Sequence, residues 1–154
     1  MCTCPLMRMR GTLRSHRTCS KKVKPTRAPV PVMMGTFHVA VRVFSLASPA
    51  LGHELEMLVD TGATQSIVPR GILEDLSVPV ERRQSFRLAN GEAIDRDVGW
   101  VGVRFQDREA HTLAVFGEPA DATLLGALTL EELGLEVDPR ERVLKPTVAW
   151  LLAA

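Results

Sequence analysis

The chain has no tyrosine, and aromatic residues make up 5% of its 154 positions. It has three cysteines, Cys2, Cys4 and Cys19, and none after position 19. An odd number confined to one end excludes a disulfide framework for the rest of the chain. Read as zinc ligands with His16, they match no standard finger spacing, so no metal site is expected. No apolar run is long enough to cross a bilayer. Pro29 and Pro31 interrupt the region after the basic start, and Arg42 follows soon, which argues against a secretory signal. The expected location is the cytoplasm. Residues 1–33 contain no acid. Eight of the 19 basic residues lie there, which leaves 11 against all 18 acidic ones and a net −7 for the remainder. An acidic body is a poor nucleic-acid ligand, and any such binding would fall to the basic tail.

With 45% hydrophobic residues, the chain has enough apolar side chains for one core. Residues 1–33 are basic, carry Pro25, Pro29 and Pro31 and show no apolar period. They read as a disordered tail, or as an upstream extension with Met33 or Met34 as the natural start. The domain is expected over residues 34–154.

Within it, Phe37, Val39, Val41 and Val43 alternate with His38 and Arg42, the period of a half-buried strand. Glu54–Val59 is a second strand and Ile67-Val68 a short third. Pro69 opens a helical turn through Leu73 and Leu76. Ser85–Ala89 alternates, and Asn90-Gly91 reads as a two-residue hairpin turn. The chain returns through Ile94 and Trp100–Phe105, with Trp100 read as a core or interface filler, and then His111–Phe116. Leu124-Leu125-Gly126 is a short apolar run. Thr129 and Glu132 fit a capping box at the start of a helix over Thr129–Leu133, which Gly134 closes. Val143-Leu144 and Val148–Leu152 are strand-like. Many short strands with one or two short helices predict an all-β barrel or sandwich.

One stretch carries chemistry. In Leu58-Val59-Asp60-Thr61-Gly62-Ala63-Thr64, apolar residues lead into an acid, a hydroxyl and a glycine. The order suits a buried strand that ends in a tight turn holding one carboxylate, a candidate acid or base. Gly62 is expected where the backbone is approached closely or takes φ > 0. For a bare Asp-Thr-Gly the better reading is that Asp60 simply caps a turn, and the rest of the chain decides between the two.

Taken together, Asp60-Thr61-Gly62-Ala63, the hairpin at Asn90-Gly91 and Leu124-Leu125-Gly126 before a short helix resemble the retropepsin family of aspartic proteases. This is the single-domain retroviral type, and similar domains occur in bacteria. The resemblance spans roughly residues 35–147. It implies an all-β acid-protease barrel with one or two short helices, in which the element ending at Gly126 lies beside the catalytic loop. Asp60 would be the catalytic residue. Thr61 of each chain would hydrogen-bond across a two-fold axis, Gly62 would let substrate backbone pass and Ala63 would line the cleft. Ala89, Asn90 and Gly91 would form a flap over an extended peptide. Three departures stand out: Thr64 replaces the acid of retroviral enzymes, as is common in bacterial relatives, the flap tip lacks their glycine-rich sequence, and the basic tail has no counterpart in the family.

Such an enzyme needs two carboxylates on one water, and the chain has a single Asp-Thr-Gly. The second would come from a second copy in a homodimer. No metal or other cofactor is implied. The competing expectation is the same fold kept as a non-catalytic module for dimerisation or peptide binding.

Overall fold

The computed structural model describes residues 36–88 and 90–148. The basic tail with its cysteines and His16, the alternative starts at Met33 and Met34, Ala89, and the end of the chain from residue 149 lie outside them.

Alternating apolar residues build most of the strands. β1 (His38–Phe44) pairs antiparallel with β2 (Gly52–Val59), and buries Val41 and Val43 while His38 and Ala40 stay exposed. A side chain sent inward every second residue is the periodicity read from the sequence. β3 (Ile67–Pro69) leads directly into helix α1 (Arg70–Asp75), with Pro69 at its N-cap and Leu73 and Leu76 buried. β4 (Arg82–Arg87), the long β5 (Ala93–Phe105) and β6 (Arg108–Gly117) form a meander. β7 (Leu124–Leu125), α2 (Ala127–Glu132), β8 (Leu135–Asp138) and β9 (Val143–Pro146) complete the order.

Seven strands make one sheet in the order β1-β2-β7-β3-β6-β5-β4, and an additional β1–β5 pairing closes all but β4 into a barrel. β2 runs parallel to β7 and β3 parallel to β6, and the short strand β7 lies between β2 and β3, antiparallel to β3. β4 pairs with β5 alone and projects from the barrel as a hairpin arm. The core holds Val43, Met57, Val68, Leu73, Val101, Phe116 and Leu125, each almost fully buried. Burying a side chain of this size contributes about 1.5–3 kcal/mol relative to leaving it in water. The result is the all-β barrel with two short helices expected for a retropepsin-like chain. Among the described residues no helix is long and apolar enough to cross a membrane.

Four local expectations need correction. The arm's turn has three residues between Leu88 and Glu92 rather than two: Leu88 N–H donates to Glu92 O, and Gly91 N–H donates to Leu88 O. Gly91 has φ 87°, a conformation glycine reaches without a Cβ penalty. Of the two places expected for Trp100, the core is excluded: it is 45% exposed, and its strand position points away from the filled face that Val101 and Val103 occupy. β8, absent from the sequence reading, pairs with β9.

The fourth correction is the capping box. Helix α2 begins two residues before Thr129, with Gly126 at its N-cap and no side-chain cap. Its first N–H groups, at Ala127 and Leu128, donate to the carbonyls of Ala63 and Thr64 instead. Thr129 is buried inside the helix and its hydroxyl serves a different purpose, described below. Gly134 does follow the helix with φ 64°, as a C′ glycine should.

Candidate active site

Asp60 is the first residue after β2, and β7 holds it in place. Leu58 and Val59 pair in parallel with Leu124 and Leu125, and the Asp60 N–H then donates to Leu125 O at 3.1 Å. The carboxylate turns back over its own loop, where its Oδ1 accepts from Gly62 N–H at 2.9 Å. Gly62 does not take a left-handed backbone; what a side chain would meet there is a tight contact, with a Cβ 3.1 Å from Asp60 Oδ1.

Beneath the loop lies a chain of buried hydroxyls that sequence reasoning missed. Gly126 N–H donates to Ser66 Oγ at 3.0 Å. Ser66 Oγ and Thr129 Oγ1 are 2.6 Å apart, and Thr129 Oγ1 donates to Thr112 Oγ1 at 3.2 Å. Each hydroxyl has one proton, so Ser66 must be the donor to Thr129. The chain ties the Asp60 loop, α2 and β6 into one unit. Its trace in the sequence is Thr112 between Ala110 and Ala114, three small side chains that β6 buries.

The upper side of the loop faces solvent. Thr61 and Gly62 are exposed, and the Thr61 hydroxyl has no hydrogen bond among the described residues. Beside them runs a cleft of about 470 Å³ between the loop and the hairpin arm. Asp60, Gly62, Ala63 and Ile67 form one wall, and Phe86, Leu88 and Ile94 of the arm form the other. Asn90 and Gly91 sit at the exposed tip of the arm, and Ala89 lies outside the described residues. Asn90 Oδ1 accepts from Glu92 N–H at 3.0 Å, which stiffens the turn from within. Gln65 also lines the cleft, and its Oε1 is buried with no hydrogen-bond partner among the described residues.

One further carboxylate reaches this cleft, Asp121, and it is engaged. Arg96 donates to both its oxygens, at 2.8 and 3.2 Å. That pair, helped by the Glu118 N–H, holds the Asp121 carboxyl below the usual carboxylate range and raises the Arg96 guanidinium above its own. Asp95 accepts from Ser85 Oγ, and Asp97 pairs with Arg70. Asp60 is therefore the one cleft carboxylate outside an ion pair among the described residues. No group of three His, Cys, Asp or Glu side chains is placed to hold a metal ion among the described residues.

The sequence profile of the family described as "gag-polyprotein putative aspartyl protease" matches residues 51–132 of the chain. The solution structure of the simian foamy virus (mac) protease is similar at 20% identity, over 60% of this chain and 92% of that one, with a TM-score of 0.42. The EIAV protease, solved in complex with the inhibitor HBY-793, is similar at 18% identity, over 71% of this chain and 99% of that one, with a TM-score of 0.49. No curated protein matches the chain.

Proposed function

The chain belongs to the gag-polyprotein aspartyl protease family, and from that premise we propose that it is an endopeptidase that works as a two-fold homodimer. Two Asp60 carboxylates, one from each copy, would flank a single water. Like charges about 3 Å apart do not both ionise readily, so the pair shares one proton. The ionised member takes a proton from the water as it attacks the peptide carbonyl, and the protonated member donates to the developing oxyanion. No covalent intermediate forms and no metal takes part.

The observation that carries this reading is the isolation of Asp60. It is held in a hydrogen-bonded loop beside the cleft, with no cation paired to it among the described residues. The exposed hydroxyl of Thr61, which bonds to none of the described residues, supports contact with a second copy across the axis. An extended peptide could add to the free edge of β4, the last strand of the sheet. Thr64, standing where viral enzymes carry an acid, supports a place among the bacterial-type members.

Hydrolysis of a mixed peptide library, with products read by mass spectrometry and inhibition by pepstatin, tests the proposal. Internal cleavage that pepstatin blocks is expected. Peptide binding without cleavage, from acid to neutral pH, would overturn it in favour of a non-catalytic peptide-binding module.

A further inference from the structure

The hairpin arm leaves the barrel at a definite point. Val98 is the last residue of β5 paired with β6, opposite Val115; from Asp97 to Ala93, β5 pairs with β4 alone. A bare two-stranded hairpin is marginally stable at best in water, so the arm needs an anchor at its root.

The two residues just past the boundary have opposite charges, and each is tied to the body. Asp97 Oδ2 accepts from Arg70 Nη2 at 2.9 Å. Arg70 opens α1, donates through Nε to Glu118 Oε1 at 3.0 Å and lies 5.2 Å over the Phe116 ring. Arg96 grips both oxygens of Asp121, and Asp121 in turn accepts from the Glu118 N–H. Both acids therefore sit on one short loop after β6, which the Asp121 contact itself braces. The four paired side chains are 18–31% exposed, which shields their bonds from water more than an ordinary surface pair. The Arg96–Asp121 contact is two-pronged, which fixes orientation as well as distance.

Consecutive strand residues emerge on opposite faces. One tie on each face resists rotation of the arm about the strand axis in either sense, where one tie alone would leave a direction free. We propose that Arg96 and Asp97, through Asp121 and Arg70, are positioning residues that set where the hairpin arm stands over the cleft. Its consequence for substrate binding rests on the protease reading; its consequence for the arm does not.

The test uses the full chain and hydrogen exchange of wild type, Arg96→Gln, and the double exchange Arg96→Asp with Asp121→Arg. In Arg96→Gln, amides of the arm over residues 83–97 should exchange about tenfold faster, the change expected for loss of one charged pair. Amides shared by β5 and β6 should keep their wild-type rates. The double exchange, which rebuilds the pair with its charges reversed, should restore protection. Unchanged arm exchange in Arg96→Gln overturns the proposal, and so does an equal loss of protection throughout the barrel. Kinetics supply the second readout: KM for a cleaved peptide should rise about tenfold in Arg96→Gln with kcat nearly unchanged, since Asp60 is untouched. A fall in kcat at constant KM overturns the positioning role. A wild-type protein that cleaves nothing refutes the protease reading, and hydrogen exchange still decides the anchor.

Discussion

Gly126 and Gln65 meet backbone to backbone: a Cβ built on Gly126 would stand 2.5 Å from the Gln65 carbonyl carbon and 2.6 Å from its oxygen. The contact passes through the main chain of the loop that carries Asp60, so no side-chain rotation can relieve it. Gly126→Ala should therefore displace the loop and destabilise the fold by about 1–3 kcal/mol, the usual cost of overpacking. Urea unfolding checks the stability. Loss of the Ser66 contact to the residue 126 N–H, seen by amide exchange, checks the displacement.

Asp60→Asn should remove hydrolysis and leave the fold alone. The amide oxygen can still accept from Gly62 N–H, so the turn survives, while the shared proton does not. A loss of about 10²–10⁴-fold in kcat is expected from general acid–base chemistry alone. Peptide cleavage and thermal unfolding, measured on the same preparation, separate the two effects.

Thr61→Val should weaken association. Valine matches threonine in size but lacks the hydroxyl that would bridge two copies, and an unpaired partner group at a dry interface costs about 1–3 kcal/mol. That corresponds to roughly five- to 150-fold in the dimerisation constant. Sedimentation against concentration measures it. Specific activity should fall on dilution, at higher protein concentration for the variant than for wild type.

The β8–β9 hairpin should resist acid. Asp138 pairs with Lys145, and Asp138 Oδ1 also accepts from the N–H groups of Glu141 and Arg140. Lys145 first, then the Glu141 amide, lower its pKa to about 2. A folded-state value below the ordinary carboxylate value stabilises above that ordinary value. The contribution is lost as pH falls from about 4, the unfolded value, towards 2. A carboxyl titration followed by NMR should place Asp138 near 2, and Lys145→Met should move it up towards the ordinary range.

Much of this was legible because it is local. Alternation at Val41 and Val43 told strand from helix, and Leu58-Val59-Asp60 and Leu124-Leu125-Gly126 told where strands deliver a turn. What the sequence hid is what the chain supplies from a distance. Thr129 and Glu132 satisfy the capping pattern, yet the helix starts earlier because carbonyls of Ala63 and Thr64, more than sixty residues away, cap it. Periodicity places Trp100 on the face opposite Val101 without saying whether anything covers that face. The arm's anchor is hidden for the same reason, since Arg96 and Asp121 are 25 positions apart and look like ordinary surface charges.

The hydroxyl chain under the Asp60 loop has no ionisable member. Gly126, Ser66, Thr129 and Thr112 keep the same protons from strong acid to neutral solution, so the loop's footing stays chemically silent while its carboxylate titrates. Acidity can then be varied as an experimental handle on the reacting group without disturbing this support, and a pH profile of cleavage would report chemistry at the cleft in place of a loosening floor beneath it.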